Sequence, residues 1–133
     1  MKLDFKLDLN QSLDQILATG LYTQFWEANQ AQILKSFHRH TGLRFQQRRI
    51  TVRTIDGSIS RAGNYHSSMK LGSADRAAHT IGTNLLHELA HRLVIGNGIE
   101  PSETSKSAVS RANYHMHRHT KIDQYDDAYD NWL

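Results

Sequence analysis

Residues 3–9, LDFKLDL, alternate apolar and polar side chains, the spacing of a half-buried strand or an extended arm. The period then lengthens. From about residue 12 to 41 apolar residues recur at helical intervals: Leu13, Ile16, Leu17, Leu21, Phe25, Trp26, Ile33, Leu34 and Phe37. Gly20 is the point where such a helix would break. Asn10 or Ser12 is placed to cap its start, and Gly42 ends the run as a C-cap residue does.

Residues 43–57 are rich in β-branched side chains with partial alternation and close on Asp56-Gly57, which predicts a strand and a turn. Residues 58–72 read as one or two further strands with polar interruptions, one of them at the edge of a sheet. A second helix is expected over about 75–95, capped by Ser73 or Asp75. Leu85, Leu86, Leu89, Leu93 and Val94 form its apolar stripe, and Gly-Asn-Gly at 96–98 ends it. Ser102, with Glu103 in the first turn, is placed to start a last helix running toward the C-terminus. Helix, strands, helix, loop and helix make an α+β order. The 133 residues suit one domain over 1–133 with one core.

Composition narrows the chemistry. The chain has no cysteine, which excludes disulfides, thiolate metal sites and a cysteine nucleophile. A metal would have to be held by His, Asp or Glu, a donor set that favours zinc. Nine histidines supply candidates, most of them expected on the surface. The first twenty residues lack the apolar core of a signal peptide, and no run approaches the roughly 18 apolar residues of a membrane span. A soluble, cytoplasmic protein with no membrane partner is therefore expected. The net charge of +3 permits weak attraction to nucleic acid. Basic residues cluster only briefly, at Arg44 and Arg48-Arg49, and the sequence shows no stripe of cations and aromatics to support such a partner.

One motif carries specific chemistry. Residues 87–91 read His-Glu-Leu-Ala-His, the HExxH pattern. On a helix, positions four apart lie one above the other, so His87 and His91 can reach one zinc ion. Glu88 is turned about 100° from His87. That makes it a poor third ligand but places it near a water on the metal, whose proton it could take as general base while the water attacks a carbonyl. The bland alternative is two surface histidines at helical spacing by accident.

A catalytic zinc site needs a third protein ligand and one open position. The extended HExxHxxGxxH pattern fails, since Val94 and Asn97 stand where Gly and His would be. The third ligand must come from farther along, with Glu100, Glu103, His115, His117 and His119 as candidates. The two glutamates suit a solvated loop and a helix start better. On a helical projection His115, His119, Ile122, Tyr129 and Leu133 fall within roughly 80°, while His117 points nearly the opposite way. Helical geometry therefore favours His119, with Asp123 one turn later as a group that could orient its ring.

At this point the chain resembles the zincin-like metallopeptidases of the gluzincin kind, in particular small uncharacterised bacterial and phage HExxH domains. The matching pieces are Thr41-Gly42-Leu43 with Ile50-Thr51-Val52, HELAHRL at 87–93, and HTKIDQY at 119–125 with YDNW at 129–132. They cover about two-thirds of the chain, and HELAHRL is the specific one. In the closing segment the aromatic and Asp positions align only with a shift, and an alignment on Tyr125-Asp126 selects His117 instead of His119 as the third ligand. The resemblance implies a minimal zincin-like fold, with a small sheet, an active-site helix and a C-terminal ligand-bearing helix. It also implies a one-zinc peptidase acting on a peptide or protein substrate, added as a strand beside an edge around residues 63–71. Tyr65 and His66 lie there and could stabilise an oxyanion. Two competing readings are a zinc-containing binding module without turnover and a peptidase acting on nucleic-acid-associated proteins.

Overall fold

A computed structural model describes residues 1–64 and 66–98. Over these residues the chain is α+β, in the order β1 (Lys2–Phe5), α1 (Leu13–Thr41), β2 (Arg49–Ile55), β3 (Met69–Gly72) and α2 (Ala78–Gly96). The strands form one sheet in the order β1-β2-β3, parallel at both junctions. The expected final helix lies outside the described residues. No helix among the described residues is long and apolar enough to cross a membrane.

Local signals set the ends of α1. Ser12 is its N-cap: the Ser12 hydroxyl accepts from the Gln15 amide at 3.2 Å, and the Gln15 side chain accepts from the Ser12 amide at 2.8 Å. This reciprocal pair satisfies two amides that the first turn leaves without helical partners. Gly42 stops the helix at φ 72°, a left-handed conformation that favours glycine. The helix does not break at Gly20.

Its buried side corrects the sequence reading. Ala18, Tyr22, Trp26, Ile33 and Phe37 face the core, whereas Leu13, Ile16, Leu17 and Leu21 are exposed, Leu13 at 70%. The polar anchors of the Tyr22 side explain the choice. Thr19 Oγ1 lies 3.0 Å from Thr54 Oγ1, and the Tyr22 hydroxyl donates to the Gly72 carbonyl at 2.8 Å. Turning the leucines inward would leave those groups without their partners.

The first strand is shorter than the 3–9 expected, and 43–57 contributes only Arg49–Ile55. From 58–72 comes β3, an edge strand, with one antiparallel bridge from Lys70 to Arg61. Leu3, Ile50, Val52, Met69 and Leu71 point to one face, where they join Tyr22, Trp26, Phe37, Leu85, Leu86, Leu89 and Leu93 in a single core. Both helices cover this face. Arg76 Nη1 meets Asp14 Oδ1 at 3.0 Å, and Asn97 donates to the Arg44 carbonyl at 3.0 Å, so α1 and α2 lie side by side with their N-termini at the same end.

The expected apolar stripe of α2 is buried as predicted. Its cap differs. Ala77 occupies the N-cap position without a side-chain bond, and Ser73 donates instead to the Ile55 carbonyl. Asp75 acts from two residues earlier. Its carboxylate accepts from the Ala77 amide at 3.0 Å and from the Thr80 hydroxyl at 2.9 Å, and these bonds hold its pKa below the ordinary 3.8.

Candidate metal centre

Leu85, Leu86, Leu89 and Leu93 fix the rotation of α2 by facing the core, and this turns His87 and His91 toward its outer side, partly buried. The Nε2 atoms of the two rings stand 3.0 Å apart, with ring centroids at 4.6 Å and an interplanar angle of 72°. Burial lowers the pKa of both; that of His87 falls to about 4, with the His91 ring adding to the effect. Both imidazoles are therefore neutral at neutral pH, the form that offers a lone pair to a metal.

Glu88, next to His87 on the helix, is buried at 6% exposure. Burial raises its pKa to about 7. Its Oε1 approaches His87 Nε2 at 3.8 Å. With His87 neutral, that contact is no ion pair, so the carboxyl is held by its surroundings and not by an opposite charge.

Two neighbours that sequence reasoning missed brace the helix here. Asn84, one turn before Glu88, donates to the Tyr22 hydroxyl at 3.1 Å, and Tyr22 in turn holds Gly72 at the end of β3. Burial pushes the Tyr22 hydroxyl up to about 12, so it stays protonated and keeps donating. Arg92, next to His91, is 4% exposed and donates to the carbonyls of Ala62 and Ser67, both at 2.9 Å, and to Gln47 Oε1 at 2.5 Å. Gly63 sits against this guanidinium at φ 73°. A Cβ there would stand 2.6 Å from the Ser68 carbonyl oxygen, so the segment closes only around glycine. No period or spacing would have found Tyr22, Asn84 or Arg92, because their partners lie 25 to 62 residues away.

The structure thus brings together His87, Glu88 and His91. Two neutral imidazole nitrogens 3.0 Å apart fit a shared zinc ion: bonds of about 2.0–2.1 Å at a tetrahedral angle put ligand nitrogens about 3.3 Å apart, a difference that small ring rotations absorb. Among the described residues no group of three or more His, Cys, Asp or Glu side chains is arranged to hold a metal. His119 lies outside the described residues, as do the alternatives His115, His117, Glu100 and Glu103, and Asp123 with the docking residues Ile122, Tyr129 and Leu133. Tyr65 is also outside them. His66 lines a cleft with Gln47, Arg49 and Ser68, in which the histidine pair takes no part.

Comparison with protein families, with curated proteins and with solved structures gave no match for the chain.

Proposed function

We propose that this chain is a zinc-dependent peptidase. His87, His91 and one side chain from residues 99–133, His119 by helical geometry, hold the metal, and Glu88 serves as general base. A zincin-like arrangement with a ligand-bearing C-terminal helix is part of this proposal. The observation that carries it is the meeting of two neutral imidazole nitrogens at 3.0 Å beside a buried carboxyl. Bound zinc would bring the pKa of a water to about 7 and polarise a scissile carbonyl.

The chain's own groups supply the rest. Glu88 is placed to take the proton of the attacking water and to return it to the leaving amine nitrogen. A carboxylate within reach of such a water suits both halves of that shuttle. Glu88 is only 6% exposed, so bulk water has little access to the carboxyl. The Asn84–Tyr22–Gly72 chain fixes the helix against β3. The outer edge of that strand is taken by the chain itself, since Arg61 and Lys70 exchange backbone bonds and the Gly72 amide donates to the Ser60 hydroxyl, so a peptide would not add as a strand there.

The test compares wild type with Glu88→Gln for metal content and for cleavage of an unstructured protein. Both should hold one zinc per chain, and the variant should lose hydrolysis by about 100-fold or more. An active Glu88→Gln protein rules out this role for the carboxyl. A wild type that holds zinc and cleaves nothing supports the binding-module reading instead.

A further inference from the structure

Among the described residues, no helix covers the second face of the sheet. Parallel sheets normally bury both faces, and their strands then read as continuous apolar runs. Here most of the outer positions are charged, Thr51 and Ile55 excepted. Lys2, Asp4 and Lys6 lie along the first strand and its extension, Arg49, Thr51 and Arg53 along the second, and Lys70 on the third. The register sets like charges beside one another: Lys2 pairs with Arg49, Arg53 with Lys70, and Lys70 with Arg61 through the antiparallel bridge. Arg53, Lys70 and Arg61 therefore form a row of three cations across neighbouring strands, spanning about 10 Å at the usual strand spacing.

Like charges directly opposite destabilise a sheet. The compensation is partial. Asp8 meets Arg53 at 2.5 Å, and Asp4 meets Lys6 at 3.1 Å and Arg49 at 3.7 Å. Lys70 and Arg61 form no ion pair among the described residues. Six cations thus face the two carboxylates of Asp4 and Asp8, with a third, Asp56, in the cleft beside them. A cleft of about 510 Å³ opens beside the row, lined by Ile55, Gly57 and Ile59, by the polar Ser58, by the carboxylate of Asp56, and by the cations Arg61 and Lys70. Ile59 is 69% exposed.

We propose that this open face binds single-stranded nucleic acid. The Arg53–Lys70–Arg61 row, with Lys2 and Arg49, takes the phosphodiester backbone, and the Ile55–Ile59 cleft takes an unstacked base. Cations repeating across the strands match a polyanion better than a single acidic side chain, and a cleft lined by two isoleucines beside two cations, which outnumber its one carboxylate, Asp56, matches a base joined to its phosphate. The cleft and the row meet at Lys70. No aromatic side chain among the described residues lies on this face, so phosphate contacts dominate and base sequence has little influence. The surface is separate from the histidine pair, and its binding is independent of zinc.

The chain's own acidic stretch, with Asp123, Asp126, Asp127 and Asp130, is the rival occupant. Fluorescence anisotropy of a labelled 15-nucleotide DNA single strand, titrated with the full chain at several salt concentrations, separates the two. The expected result is binding whose logarithm falls with the logarithm of salt at a slope of about −3, four phosphates at roughly −0.7 each. Arg53→Gln/Arg61→Gln/Lys70→Gln should weaken binding about 10-fold or more and flatten the slope by about two. Its melting temperature should hold or rise, because the crowded charges are gone. Lys70→Gln alone should show a smaller loss. Glu88→Gln and chelator-treated protein should bind as wild type does. No salt-dependent binding, or undiminished binding by the triple variant, overturns the proposal. Binding that emerges only after the four aspartates are changed to Asn also overturns it, assigning the face to the chain's own segment. Tighter binding of a duplex than of the single strand overturns the assignment to single strands.

Discussion

The guanidinium of Arg92 donates to the Ala62 carbonyl at 2.9 Å and joins the HELAHR segment to a loop thirty residues earlier. Its further bonds to Ser67 and Gln47 make one cation the common partner of three acceptors. Arg92→Leu should therefore lower stability by about 3 kcal/mol or more, since each bond to a charged donor contributes roughly 1.5–3 kcal/mol. Arg92→Lys should recover only part, because an ammonium lacks the planar fork that reaches acceptors in several directions. Urea unfolding of the three proteins measures this. A loss below about 0.5 kcal/mol for Arg92→Leu, the range of ordinary surface changes, would show that the loop is held by other contacts.

The third zinc ligand is tested by comparing His119→Ala, His117→Ala and His115→Ala, with His87→Ala and His91→Ala as references. The two reference variants should lose tight zinc binding. His119→Ala should weaken zinc binding and lower the melting temperature of the zinc-loaded protein, because a bound metal stabilises the native state. His117→Ala and His115→Ala should change neither. The reverse outcome for 117 and 119 would make the alignment on Tyr125-Asp126 correct and the helical-face argument wrong.

Asp75 gives a pH prediction. Its folded pKa lies below the ordinary 3.8 because the Ala77 amide and the Thr80 hydroxyl bond to the ionised form. The stabilisation is therefore fully present above about pH 4 and is lost as pH falls through the lowered value. Asp75→Ala should cost about 0.5–1 kcal/mol at neutral pH, the low end for a capping group because the carboxylate is exposed. The gap from wild type should close in acid. Urea curves at neutral and acid pH decide it, and a gap that persists unchanged below the folded pKa would place the effect elsewhere.

Features set by neighbours in sequence were legible before the fold was known. Ser12 and Gly42 bound α1 as expected, and the leucine stripe of α2 lies in the core. The meeting of His87 with His91 follows from a spacing of four on one helix. What was not legible depends on partners distant in sequence. The exposed position of Leu13, Ile16, Leu17 and Leu21 follows from bonds of Thr19 to Thr54 and of Tyr22 to Gly72, which no helical period encodes. The basic row draws Arg53, Arg61 and Lys70 from separate segments, so a search for runs of Lys and Arg passes over it. Asp75 lies two residues before the Ala77 N-cap, and it bonds the Ala77 amide and the Thr80 hydroxyl instead of capping the helix directly.

The side-by-side, same-direction placement of α1 and α2 gives the domain an electric axis. Each helix ends in roughly half an elementary charge, and in a parallel pair these halves add instead of cancelling, to about one unit at either end. Asp14 and Asp75 stand at the shared positive end, while α2 has no acidic residue in its own first turn. At the opposite end α2 has no basic residue in its last turn, and the basic residues there, His38, Arg39 and His40, belong to α1. The long helix thus supplies much of the terminal charge balance of both. Asp14, through Arg76 at the start of α2, serves a helix to which it does not belong.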